Sequence, residues 1–210
     1  MKQGVKMEST IRTYSSDAAL VNDRREYIAR AASKLFITQG YHNTTVRQIA
    51  KACDMAMGTL YHYIGSKDDI LCLIIDTIVS RFENFSDTLA ASPKKDPLKA
   101  LKQAIDNYYK GIDEIQDLIL ILYQEAGNIK RESWQLIVDL EKRVFTVFRR
   151  IVADGVKAGV FSTPDVDLQV HAIATSGQLW AVRRWYLKKH FTLEEFISFY
   201  TNLFLKSLTS

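Results

Sequence analysis

The spacing of apolar residues along the chain predicts α-helices almost from end to end. Over residues 24–39 they recur at i, i+3, i+4 and i+7, the pattern of one buried helix face: Ile28, Ala31, Ala32, Leu35 and Phe36. Gly40 follows, where glycine commonly ends a helix. The same spacing predicts short helices at about 46–52 and 57–63, and a longer one from 68 to about 89. Alternating strand patterns are hard to find, so the predicted fold class is all-α.

Capping residues mark where further helices begin. Capping boxes are predicted for Thr45 with Gln48, Ser66 with Asp69, and Thr192 with Glu195. Asp96 followed by Pro97 is another helix start, because Asp is a good N-cap and proline suits the first helical position. The second half of the chain is thus predicted to hold helices at about 97–112, 117–126, 131–158, 165–188 and 193–208.

Helix length and charge divide the chain into three parts. Residues 1–22 are polar and mixed, which predicts a flexible N-terminal tail. Residues 23–67 hold three short helices, and residues 68–210 form a larger helical body. Residues 1–67 carry ten Lys or Arg against five Asp or Glu, whereas residues 68–210 carry 18 against 19. A basic segment on a near-neutral body favours attraction of the N-terminal part to phosphates.

Composition also indicates the compartment. Cys53 and Cys72 match no metal-ligand spacing, which favours reduced thiols in the cytoplasm. Residues 1–22 lack the apolar segment of a signal peptide. No apolar run approaches the roughly 18 residues that a membrane-spanning helix needs. We therefore expect a cytoplasmic protein that has no membrane contact, metal or cofactor.

The two short helices around residues 53–55 predict a DNA-binding surface. Such a pair, joined by a tight turn, presents its second helix to the major groove. The outward candidates on and beside that helix are Ala56, Met57, Gly58, Thr59, Tyr61 and His62, whereas Leu60 is expected to point inward. Thr44, Thr45, Arg47 and Lys67 are the further candidates, for contacts to the phosphate backbone. Phosphate contacts orient a protein on DNA, and base contacts read the sequence.

The same segment resembles the DNA-binding head of the TetR/AcrR family of bacterial transcriptional regulators. The resemblance is carried by Ala31-Ala32, Leu35-Phe36, Gly40-Tyr41, Thr44-Thr45-Val46, Ile49-Ala50, Gly58-Thr59-Leu60-Tyr61, Tyr63, Ser66-Lys67 and Leu71. It implies that residues 23–67 are a helix-turn-helix DNA-binding domain and that residues 68–210 bind a ligand and dimerise. It further implies a homodimeric repressor that binds an inverted-repeat operator in double-stranded DNA and is released by a small-molecule effector.

Two residues depart from the family pattern. Asp54 stands in the turn where the family often has glycine, and aspartate tolerates left-handed backbone geometry better than most residues. Ala56 stands where a capping Ser or Thr is usual, and loss of such a cap costs about 0.5–2 kcal/mol. We therefore expect the turn to survive and the helix that follows to fray in the absence of DNA.

The body is predicted to form the dimer and to bind the effector. Dimerisation is predicted through its last two helices, at 165–188 and 193–208, because the second of them is apolar over more than half its circumference, as at an obligate dimer interface. The candidate effector-binding residues are Tyr108, Tyr123, Gln124, Trp134, Phe145, Phe148, Gln178, Trp180 and Arg184. Aromatic residues at helical spacing equally fit a packed core. Residues 180–186 place two arginines among aromatics and resemble acyl-CoA-responsive family members, which implies an acyl-CoA or another lipid-derived effector.

Two other functions compete with this interpretation. An enzyme is not expected, since no nucleotide-binding, metalloprotease or nucleophile-elbow motif occurs and the four histidines lack ligand spacing. A DNA-binding activator or architectural protein that responds to no ligand is the alternative. An enclosed cavity in the body would distinguish an effector-responsive regulator from it.

Overall fold

The computed structural model of the chain describes residues 18–90 and 96–209, and these residues form ten α-helices and no strand. The predicted all-α fold class is therefore confirmed. The helices are α1 (Ala18–Gln39), α2 (Val46–Ala52), α3 (Met57–Tyr61), α4 (Asp68–Ala90), α5 (Pro97–Glu114), α6 (Gln116–Gln124), α7 (Arg131–Lys157), α8 (Val166–Val182), α9 (Arg184–His190) and α10 (Leu193–Thr209). Within the described ranges, no helix is long and apolar enough to cross a membrane.

The chain separates into two compact units, with the division between Ile74 and Ile75 inside α4. The first unit is built on α1, α2 and α3, and α1 and α3 each pack against α2. Ile28, Ile49 and Leu60 are fully buried and form the centre of its core. The inward orientation predicted for Leu60 is confirmed.

The turn between α2 and α3 has the geometry expected from its sequence. The Thr45 side chain accepts from the Gln48 backbone N–H, and the Gln48 side chain accepts from the Thr45 N–H, so this capping box is confirmed. Asp54 has a φ of +51°, the left-handed conformation that aspartate tolerates. Ala56 is the N-cap of α3 and provides no side-chain hydrogen bond. The α3 helix therefore begins without the stabilisation that a capping hydroxyl gives.

In the second unit, α5 and α8 pack so closely that side-chain volume is limited. The Tyr109 hydroxyl lies 3.1 Å from the carbonyl oxygen of Ile173, to which it donates, and 2.6 Å from Ser176 Oγ. A Cβ atom on Gly177 would lie 2.7 Å from the Tyr109 ring, so only glycine permits this approach. The helices α7 and α10 complete the packing around α5.

Several predicted boundaries differ from the structure. The α1 helix begins at Ala18, inside the predicted tail 1–22, while residues 1–17 lie outside the described residues. The helix predicted at 165–188 is two helices, α8 and α9, separated at Arg183. No Gly or Pro marks this break. It coincides with ion pairs that join Arg184 to Asp117 and Lys188 to Asp113, which are tertiary contacts.

Helix starts follow their predicted caps with one exception. Asp96 caps α5 with Pro97 at its first position, and Thr192 and Glu195 form their box at α10. At α4 the Asp69 carboxylate accepts from the backbone N–H groups of Gly65 and Ser66. The acceptor is therefore the aspartate, and the structure shows only this half of the box predicted for Ser66. The predicted loop at 92–97 falls mostly outside the described residues.

We expect Gly155→Ala to destabilise the second unit. A Cβ atom at this position in α7 would lie 2.0 Å from Cδ2 of the buried Phe161, so the ring or the helix must shift. Overpacking of this kind lowers the free energy of unfolding by about 1–3 kcal/mol. Urea denaturation measures the change.

Gly111→Ala is the matched control, because it also replaces a helical glycine in the same unit. Its Cβ would lie 3.7 Å from Phe82, an ordinary contact. The alanine should leave stability unchanged or raise it by up to about 1 kcal/mol through helix propensity. Equal unfolding midpoints for the two variants would contradict the packing argument.

Candidate nucleic-acid interface and effector cavity

The outward face of α3 is continuous and exposed. Every predicted base-reading candidate lies on it or at its ends: Ala56, Met57, Gly58, Thr59, Tyr61 and His62. Met57 and Tyr61 are 37% and 49% exposed, although both are large and apolar. Open space surrounds Gly58, since an added Cβ would meet no atom within 4 Å. The fold thus gathers these six residues on one surface, and their contacts with DNA stay a prediction.

The three residues near the start of α2 that are predicted to contact phosphate differ in their exposure. Thr45 and Arg47 are exposed. Thr44 is 1% exposed, and its hydroxyl donates to the Gly40 carbonyl at 2.8 Å and accepts from Gln39 Nε2 at 3.2 Å. The Thr44 hydroxyl therefore closes the loop after α1 within the protein, and its predicted contact with DNA stays a prediction.

Lys67 lies immediately before α4 and is directed toward the same loop. Its ammonium group donates to the carbonyl oxygens of Tyr41 at 2.9 Å, Thr44 at 3.2 Å and His42 at 3.5 Å. The same nitrogen lies 4.3 Å from the centre of the Tyr41 ring. Lys67 is only partly exposed. The predicted phosphate ligand is thus engaged within the protein.

The second unit contains a partly open cavity of about 40 Å³. Side chains from α4, α5, α6, α7 and α8 line it: Ile78, Phe82, Tyr108, Ile112, Ile119, Leu122, Ile137, Leu140, Glu141, Val144, Phe145, Ala174 and Gln178. Of the predicted effector-binding residues, Tyr108, Phe145 and Gln178 therefore line it. Phe148 is fully buried behind this wall, with its ring edge-on to Tyr108 at 5.5 Å. Tyr123 donates to the Gln178 side-chain oxygen.

The polar groups of the cavity are few and include one carboxylate. Glu141 is the charged residue among the described lining, which contains no Lys or Arg. Partial burial raises the pKa of Glu141 above its ordinary value. Burial also raises the pKa of the Tyr108 phenol, which therefore stays protonated at neutral pH. The cavity thus offers an apolar volume with a hydroxyl, an amide and an acid.

The other predicted effector-binding residues lie outside this lining. Trp180 is 2% exposed, and its indole N–H donates to Asp113 at 2.7 Å, as a packed core residue does. Arg184 pairs with Asp117, while Trp134 and Gln124 are exposed. Sequence reasoning missed Glu141. Its place in the sequence could have indicated it. Glu141 lies at i+4 on the apolar face of α7, between Ile137 at i and Val144 and Phe148 at i+7 and i+11.

Comparisons with known proteins identify the class. Residues 28–72 match the description "Bacterial regulatory proteins, tetR family", and residues 94–208 match "Tetracyclin repressor-like, C-terminal domain". The second match alone spans more than half of the chain. The protein belongs to the TetR family of DNA-binding transcriptional regulators.

Individual relatives agree with this assignment. The HTH-type transcriptional regulator HbdR of Aromatoleum sp. (strain CIB) is 27% identical over 188 residues, which are 90% of this chain and 82% of HbdR. The TetR family regulator PfmR of Thermus thermophilus is 26% identical with a TM-score of 0.75, covering 85% of this chain and 97% of PfmR. AibR, solved in complex with isovaleryl coenzyme A and operator DNA, shares the fold at 18% identity and a TM-score of 0.71, covering 86% and 97%.

We expect Gly58→Ala to weaken operator binding and to leave the free protein at least as stable. The added methyl group meets nothing inside the protein, and alanine raises helix propensity by about 1 kcal/mol over glycine. Against DNA, however, the same methyl occupies the space through which the α3 backbone approaches the groove. Fluorescence anisotropy with labelled operator measures the affinity, and thermal denaturation the stability.

Gly127→Ala serves as the control, because an added Cβ there also meets open space but the residue lies in the second unit. It should bind operator with wild-type affinity. Wild-type binding by Gly58→Ala would instead show that the backbone at Gly58 does not approach DNA closely.

Proposed function

We propose that this protein is a homodimeric repressor that leaves its operator when a small, largely apolar effector occupies the cavity of the second unit. The cavity is the observation that carries the proposal, because it is a concave, mainly apolar site that is open on one side and has a few polar groups in its wall. Its three polar lining groups supply the few directional contacts that give a ligand site its selectivity. The protein then acts in the cytoplasm, where its operator lies.

On DNA, the exposed residues of the first unit divide into two roles. Thr59 hydrogen-bonds a base edge, and Met57 contacts a thymine methyl group in the major groove. Tyr61 and His62 donate to phosphate oxygens beside α3, while Thr45 and Arg47 hold the backbone at the start of α2. Their exposure supports these roles.

The effector is proposed to be an acyl-CoA or a related lipid-derived thioester whose acyl group fills the cavity. Ten of the 13 lining residues are apolar, which suits a hydrocarbon group. The lining offers a carboxylate and no cation, so the phosphates of the coenzyme stay outside. The AibR complex, which holds isovaleryl coenzyme A in a protein of the same fold, supports this class.

The dimer is proposed to form through the exposed faces of α8 and α10. Leu168 and Leu179 are 69% and 39% exposed and lie three helical turns apart on one face of α8. Phe199 and Leu203 are 63% and 48% exposed and lie one turn apart on α10. An apolar surface of this kind is typical of a permanent interface. A dimer places two α3 helices in successive major grooves, about 34–36 Å apart.

Ala174→Phe should abolish the response to effector while operator binding persists. Ala174 is buried in the cavity wall, so the larger side chain fills space that the acyl group needs. The test is release of operator DNA on titration with acyl-CoAs of increasing chain length. Ala126→Phe, at an exposed position, should respond like wild type.

The outcomes of this titration are distinct. If no acyl-CoA releases the wild-type protein, the proposed effector class is wrong. If an acyl-CoA releases wild type and Ala174→Phe equally, the effector acts outside this cavity.

The double variant Phe199→Glu, Leu203→Glu should be monomeric and bind operator weakly. Each glutamate places a charge on the proposed interface, where like charges from the two protomers oppose each other. Sedimentation velocity measures the oligomeric state. Phe191→Glu, which replaces an exposed aromatic residue outside this face, should remain dimeric. If the double variant is still dimeric, this surface is not the dimer interface.

A further inference from the structure

The ammonium group of Lys67 is directed at backbone carbonyls of the loop after α1. A lysine ammonium carries three N–H donors. Three carbonyl oxygens surround Lys67 Nζ, those of Tyr41, Thr44 and His42, at 2.9, 3.2 and 3.5 Å. The Tyr41 ring covers another side at 4.3 Å, which adds a cation–π contact. A phosphate contact would therefore compete with these partners for the same ammonium group.

Asp68, the residue after Lys67, also binds this loop. The Tyr41 hydroxyl donates to the Asp68 carboxylate at 2.5 Å, a charge-assisted hydrogen bond. The Tyr41 ring is 4% exposed and packs edge-on to Phe36 at 4.9 Å. Lys67 and Asp68 thus hold one side chain and three backbone carbonyls of the loop 41–44.

This loop leads directly into α2. Thr44 is its last residue, and Thr45 is the N-cap of α2. Arg47 lies in the first turn of α2, so its position on DNA follows the position of the loop. We propose that Lys67 and Asp68 are positioning residues for operator binding: they fasten the loop 41–44 to the first turn of α4, and Lys67 does not bind phosphate itself.

The salt dependence of binding separates a positioning role from a phosphate contact. Each phosphate contact that is lost lowers the slope of log affinity against log salt by about 0.9. We expect Lys67→Met to bind operator about tenfold more weakly, the equivalent of losing one charged hydrogen bond, with an unchanged slope. Hydrogen exchange at the Thr44 amide, which donates to the Tyr41 carbonyl at 3.2 Å, should accelerate in the free protein.

Arg47→Met is the matched control, because it removes an exposed cation from the same unit. It should lower the slope and leave exchange at Thr44 unchanged. Lys67→Arg keeps the charge, but a planar guanidinium cannot direct three donors at carbonyls that converge on one point. Lys67→Arg should therefore also bind operator more weakly than wild type.

Tyr41→Phe keeps the proposal testable if Lys67→Met does not fold. It keeps the ring and removes only the hydrogen bond to Asp68, so it should give a smaller loss of affinity with the wild-type slope. The proposal is overturned if Lys67→Met lowers the slope as Arg47→Met does, if exchange at Thr44 is unaffected, or if Lys67→Arg binds like wild type.

Discussion

The burial of Leu60 is the interaction on which the candidate DNA-binding surface depends. The α3 helix has five residues and no side-chain cap, and so short a helix is not stable in isolation. Leu60 holds it to the core of the first unit, where the side chain is fully buried. Its neighbours in sequence are consequently turned outward, so one apolar anchor both holds the helix in place and exposes the face proposed to contact DNA.

Much of the first unit could be predicted because its signals are local. The capping box at Thr45 and Gln48 involves residues three apart, and the left-handed turn at Asp54 needs only a residue that tolerates positive φ. Thr44 shows where such reasoning stops. A hydroxyl beside a helix N-terminus suggests a phosphate contact, and only the path of the loop after Gly40 shows that it is buried.

The second unit was harder to predict because its features are tertiary. Five helices contribute to the cavity, and the apolar spacing of each fits a packed core as well as a cavity wall. Trp180 was therefore predicted to bind effector, although its indole bonds to Asp113 in the core. The break at Arg183 is accompanied by ion pairs that join residues about 70 positions apart in sequence, and such contacts leave no local signal.

One helix contributes to both of the features that regulation requires. Ile78 and Phe82 of α4 line the cavity, and Asp68 in its first turn holds the Tyr41 hydroxyl. An effector that displaces Ile78 and Phe82 acts on the same helix that fastens the loop before α2. Coupling requires an element whose state both sites influence, so in the proposed function α4 is the candidate segment through which effector binding would change operator binding.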